Sequence, residues 1–100
     1  MSKPEIVICS PVRTAIGTFG GALKSVPAAA LGAAVIRETV RRAAIAAMDI
    51  ETVVMGHVIQ AGAKMNSARQ AALGAGLPVE IPAMTVNRVC GSGAQAIVSA

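Results

Sequence analysis

Along this chain the spacing of hydrophobic positions changes period several times, and each change marks an element. Glu5-Ile6-Val7-Ile8-Cys9-Ser10 is a short apolar run rich in β-branched residues and stopped by Pro11. That is the pattern of a strand covered on both faces. Gly17, Gly20 and Gly21 around Phe19 then make a stretch too irregular for strand or helix, which predicts a loop. From about Ala28 to Met48 the period becomes helical. Gly32, Val35, Ile36, Thr39, Val40, Ala43 and Ala47 fall on one face, with Arg37, Glu38 and Arg41 opposite. Asp49-Ile50-Glu51-Thr52 breaks this helix, and Val53 to Ile59 is a second strand-like run with Gly56 and His57 inside it. Asn66 or Ser67 caps a short helix from Ala68 to Ala75, closed by Gly76-Leu77-Pro78. Ala83 to Val89 extends toward Cys90, Gly91-Ser92-Gly93 turns, and Ala94 to Ala100 starts an apolar helix. Strand and helix alternate three times, so the expected class is α/β, with a mainly parallel sheet and right-handed crossovers.

Composition adds a tension to this picture. With 54% hydrophobic and 14% charged residues the chain is far from the disordered class, yet Phe19 is its single aromatic. The apolar content is Ala, Val, Ile and Leu, which suits helices packed on a buried sheet and exceeds what a domain of this size covers by itself. The last helix reaches Ala100 with no Gly, Asn or Lys to cap its final carbonyls. The expectation is that residues 1–100 are an incomplete N-terminal domain, broken off inside an element. No apolar run approaches the ~20 residues of a membrane helix, and Met1 to Glu5 leads into the first strand without a leader-like segment. The expected setting is cytoplasmic, with no membrane partner. A net charge of +4 hints at nucleic acid, but the nine basic residues are dispersed and no aromatics are available to stack bases, so nucleic acid is not an expected partner. Two cysteines in such a chain are expected as free thiols.

The strongest chemical candidate is Cys90. It stands where an extended run meets a glycine-flanked turn and a helix, so its thiol projects from the carboxyl end of a strand at the amino end of a helix. Unpaired N–H groups and the helix dipole favour a thiolate there, and the same N–H groups suit an acyl oxyanion. Gly91 and Gly93 are expected to permit the turn and the approach of substrate. The bland alternative is a buried, inert thiol. A competing chemistry uses the same segment, since Gly91-Ser92-Gly93-Ala94-Gln95-Ala96 matches G-x-G-x-x-A after a strand, the fingerprint of a nucleotide-binding α/β module. Cys9, inside the first strand, is expected in the core. His57 lacks a second histidine or a carboxylate at ligand spacing, which favours a structural or hydrogen-bonding role over metal or catalysis. Glu38 and Arg42 form an i,i+4 pair on a solvated face. Arg13 and Arg69, lone charges in apolar surroundings, either hold a loop or subunit contact or simply face solvent.

Asn87-Arg88-Val89-Cys90-Gly91-Ser92-Gly93 resembles the motif around the nucleophilic cysteine of the thiolases, the acetyl-CoA acetyltransferases and 3-ketoacyl-CoA thiolases. Further segments match in the family's order. They are Arg13-Thr14-Ala15-Ile16-Gly17 with Phe19-Gly20-Gly21, Met55-Gly56-His57-Val58, and Asn66 with Ala68-Arg69-Gln70-Ala71 and Ala75-Gly76-Leu77-Pro78. The resemblance implies a thiolase fold, a mixed, mainly parallel sheet with helices on both faces, of which this chain is the first part of the N-terminal half. It implies reversible condensation of two acetyl-CoA to acetoacetyl-CoA and CoA, or thiolysis of 3-ketoacyl-CoA, through an acyl thioester on Cys90. Coenzyme A thioesters enter as substrates, no bound cofactor or metal is implied, and the intact protein is expected as a homodimer or homotetramer. The family's Gly-His-Pro histidine and its second, C-terminal cysteine have no counterpart here; Gly56-His57-Val58 is not that motif and Cys9 is not that cysteine. The 100 residues alone are therefore expected to be inactive. Lys64-Met65 stands where close relatives often carry Gly-Gln.

Overall fold

A computed structural model describes residues 2–100 of the chain. The order of elements is α1 (Ala28–Ala43), a 3-10 turn (Ala47–Asp49), β1 (Val53–Gly56), α2 (Ser67–Gly74), β2 (Ala83–Val86) and α3 (Ser92–Ser99). β1 and β2 pair in parallel, Val53 opposite Ala83 through Gly56 opposite Val86. The parallel α/β arrangement predicted from periodicity is present, as a two-stranded sheet crossed by α2. Both strands are shorter than their apolar runs, ending at Gly56 and Val86 where the register ends.

Helix α1 forms on the predicted face but stops at Ala43 instead of Met48. Ala44 takes a left-handed conformation (φ 55°), and its N–H closes back on the carbonyls of Val40 and Arg41. This is a C-terminal cap without glycine, a position where Ala carries a modest steric cost. Gly32 lets α1 and α2 approach closely, since a Cβ there would lie 2.9 Å from the Ala71 methyl and 3.2 Å from Met55 Cε. Ala33 on α1 and Ala68, Ala71 and Ala72 on α2 are small and buried. Ala72, Leu77 and Ile81 form the centre of the core, with Ile36, Val40, Ile50 and Val53 packed around them.

The start of α2 is locked to β2 by side chains. Asn66 caps the helix from a left-handed conformation (φ 42°) that Asn tolerates better than most residues, and its Oδ1 accepts the Arg69 N–H at 3.2 Å. Thr85 Oγ1 donates to that same Oδ1 and accepts the Ala68 N–H, while Asn66 Nδ2 donates to the Ala83 carbonyl. Lys64 sits at φ 64°. A lysine there accepts a left-handed strain of roughly 1–2 kcal/mol that glycine avoids.

The predicted first strand is absent. Residues 5–10 run as irregular chain with no ladder partner among the described residues; Ile6, Val7 and Ile8 are exposed, and one bond, from Thr39 Oγ1 to the Ser10 carbonyl, ties the segment's end to α1. An apolar run of this kind becomes a strand only when neighbours accept its N–H and C=O groups. The accessible surface, 7379 Å², exceeds the about 5,200 Å² expected for a compact monomer of this mass. Among the described residues no helix is long and apolar enough to cross a membrane.

Candidate active site

Cys90 is exposed, on the turn between β2 and α3. The turn departs from expectation in where its bend is made. Gly91 caps α3 at φ −90°, Gly93 is helical with open space where a Cβ would stand, and neither has a positive φ. Val89 carries the bend instead, at φ 49°. A β-branched residue in the left-handed region costs about 1–3 kcal/mol and persists only where its surroundings over-determine it.

Those surroundings are specific. Asn87 Oδ1 accepts the Val89 N–H at 2.9 Å, and Asn87 Nδ2 donates to the Val58 carbonyl at 2.9 Å, fastening the turn to the exit of β1. Ser92, 3% exposed, accepts the Arg88 N–H on its Oγ at 2.8 Å and donates that hydroxyl to the Val89 carbonyl at 2.7 Å. The Ser92 N–H reaches the same carbonyl at 3.1 Å, and the Gly91 N–H reaches the Arg88 carbonyl at 3.0 Å. Hydrogen bonds of about 1 kcal/mol each are enough, in this number, to hold the strained residue. Arg88 lies along α3 with its Nη1 on Gln95 Oε1. Beneath the turn, Gly56 makes room for α3: a Cβ on it would stand 2.5 Å from the Ser92 carbonyl carbon and oxygen. Among the described residues the N–H groups of Cys90, Gly93 and Ala94 have no hydrogen-bond partner.

The other candidates are dispersed. Cys9 is exposed on the unpaired N-terminal segment, not in the core as expected, because the strand that was to enclose it does not form. His57 Nδ1 is 2.7 Å from the buried Ser67 Oγ, the hydrogen-bonding role its isolation in sequence suggested. Arg69 holds a loop, donating through Nη1 to the carbonyls of Val79 and Ile81. Among the described residues Arg13 reaches only the neighbouring Thr14 carbonyl. Glu38 accepts from both Arg41 and Arg42, and these hydrogen bonds, Arg41's first, lower its carboxyl from the usual 4.5 to about 2. Among the described residues no group of three His, Cys, Asp or Glu gathers as metal ligands. Sequence reasoning placed Asn87 and Ser92 inside the motif around Cys90 without giving either a role of its own, and met Gly56 only as a glycine inside a strand pattern, a sign of close backbone approach.

This braced strand-turn-helix with a cysteine at its tip is the kind of site found in α/β enzymes that work at the carboxyl ends of their strands. The chain matches the thiolase N-terminal domain family over residues 6–100, and it belongs to the thiolase family. It is 50% identical over 96 residues to an acetyl-CoA acetyltransferase of Cupriavidus necator, covering 96% of this chain and 24% of that protein. A beta-ketothiolase, BktB, of the same organism is 55% identical over 97 residues, covering 96% of this chain and 25% of the relative. An acetyl-CoA acetyltransferase of Clostridioides difficile is 55% identical over 89 residues, covering 89% of this chain and 83% of its own sequence. The chain thus spans about a quarter of the length of the two Cupriavidus proteins.

Proposed function

We propose that the intact protein is a thiolase that joins two acetyl-CoA into acetoacetyl-CoA and free CoA, and runs the reverse cleavage, with Cys90 as acyl carrier. What carries this reading is membership of the thiolase family over nearly the whole chain together with an exposed Cys90 on a braced turn. The Cys90 sulfur attacks the thioester carbonyl carbon, the π pair moves to oxygen, and collapse expels the CoA sulfur, which ends with the thiol's proton. In the second half the α-carbon of another acetyl-CoA gives up a proton and attacks the acyl thioester, and the Cys90 sulfur leaves and ends with a proton. In cleavage the Cys90 sulfur adds to the 3-keto carbonyl, the carbon–carbon bond breaks with the departing α-carbon taking up a proton to leave as acetyl-CoA, and the CoA thiol then takes the acyl group from Cys90, which regains its proton. The residues that supply proton transfer and grip CoA belong, in this reading, to the rest of the subunit, and residues 1–100 alone are inactive. The same reading takes the intact protein to be a cytoplasmic homodimer or homotetramer that uses CoA thioesters as substrates without a bound cofactor.

A second reading, a 3-ketoacyl-CoA thiolase of fatty-acid degradation, is favoured by the similarity to a protein named beta-ketothiolase. Cleavage rates on acetoacetyl-CoA against a longer 3-ketoacyl-CoA separate the two. Incubating the full-length protein with acetyl-CoA adds an acetyl mass to the peptide holding Cys90, and Cys90→Ala abolishes it. Acetylation at Cys9, or none at all in the wild type, overturns the proposal.

A further inference from the structure

Arg37 and Lys64 share a groove in which none of the chain's own carboxylates offsets them. The groove, about 680 Å³, runs between α1 on one side and α2 with the loop before it on the other, within the ~300–1,000 Å³ of small-ligand sites. Ala29, Ala30 and Ala33 give it methyl surface. Glu5, Glu38, Asp49, Glu51 and Glu80 are all the acidic residues of the chain, and none lines it. The next cations along α1 are different. Arg41 and Arg42 are both paired with Glu38, and no other ion pair forms among the described residues.

α2 sets the spacing of the two free cations. Arg37 Nη2 donates to the Gly74 carbonyl at 2.9 Å. The loop that bears Lys64 is fastened by Gln70, whose Nε2 donates to the carbonyls on either side of that lysine, Ala63 at 2.7 Å and Met65 at 2.8 Å. Gln70 and Gly74 lie one helical turn apart on α2, so the two anchors stand about 6 Å from each other along the groove. Two charge-assisted contacts of ~2.8 Å, made from opposite sides of one oxyanion, cover that span.

We infer that the groove between α1 and α2 binds a phosphomonoester with a small apolar body, its phosphate between Arg37 and Lys64 and its body on the methyls of Ala29, Ala30 and Ala33. A phosphomonoester brings close to two negative charges at neutral pH and three acceptor oxygens, which matches two cations where a carboxylate's single charge matches one. No residue of the Cys90 turn lines the groove. The inference therefore stands apart from the acyl-carrier reading, and failure of either leaves the other in place.

The test is a ligand-observed NMR titration of the full-length protein with phenyl phosphate, benzoate and inorganic phosphate, run in saturating CoA so that any site for CoA's own phosphates is already filled. Phenyl phosphate is expected to saturate. Benzoate, with the same ring and one charge, binds at least ~3-fold more weakly, and so does inorganic phosphate, which has no apolar body to bury. Arg37→Gln combined with Lys64→Gln weakens phenyl phosphate about 10-fold or more, since both charge-assisted contacts are lost. No saturable binding to the wild type, equal affinity for benzoate or for inorganic phosphate, or an unchanged affinity in the double variant overturns the inference. If the double variant does not fold, Lys64→Gln alone, at an exposed position, is judged by a loss of about threefold or more.

Discussion

Residues 5–19 and residues 53–96 are comparably apolar in sequence, and they end in opposite states. In the first, Ile6, Val7, Ile8, Ile16 and Phe19 are exposed and the backbone has no strand to pair with among the described residues. In the second, β1 and β2 satisfy each other, α2 and α3 pack on the pair, and side chains such as Asn66, Thr85, Asn87 and Ser92 fasten each junction. Hydrophobicity gives a segment the capacity to be buried, while order follows from partners that accept its hydrogen bonds and its faces. The elongation of the chain, 52 Å along one axis against 26 and 24 Å along the others, is the shape of that imbalance.

The largest effect that would sharpen this contrast lies under the Cys90 turn. Gly56→Val places a side chain into the backbone of Ser92 and Gly93. Because backbone atoms cannot rotate aside, the expected loss is about 3 kcal/mol or more, read as a lower urea midpoint, with the Cys90 turn displaced. An unchanged midpoint would mean that the close approach of α3 to β1 is not a real constraint. The second effect concerns the unpaired segment. Ile6→Lys with Ile8→Lys is expected to leave the unfolding free energy of the 100-residue chain, read by urea titration, within about 0.5 kcal/mol, because these side chains touch no core. The same pair raises solubility by removing exposed apolar surface. A large drop in stability would show that residues 5–10 pack on something after all, and the comparison would break.

The smallest effect is on α1. Glu38 has its carboxyl lowered to about 2 by Arg41 and then Arg42, so its contribution is present above pH 4.5 and is lost as pH falls from 4.5 toward 2. The groups are solvent-exposed and the contribution is slight. Glu38→Gln removes this part of the acid dependence, checked by the helical circular dichroism signal between pH 5 and pH 2.5 at low salt. An identical profile in both proteins would show that the pair stabilises nothing.

The sequence by itself determined the alternation of elements, the parallel α/β class, the helical face of α1, the Asn66 cap, the structural part played by His57 and the family. Each of these follows from local chemistry: a 3.6-residue period, a side-chain acceptor at a helix start, a lone histidine, an ordered set of motifs. Tertiary structure decided the rest. The strand at residues 5–10 needed neighbours that local pattern does not supply, and without them Cys9 stands in solvent. The bend at Cys90 was assigned to Gly91 and Gly93 because glycine is the residue that turns cheaply. It falls on Val89, where Ser92 and Asn87, one on each side of it in sequence, close hydrogen bonds around a left-handed residue, contacts visible only in three dimensions that offset the strain at one φ angle.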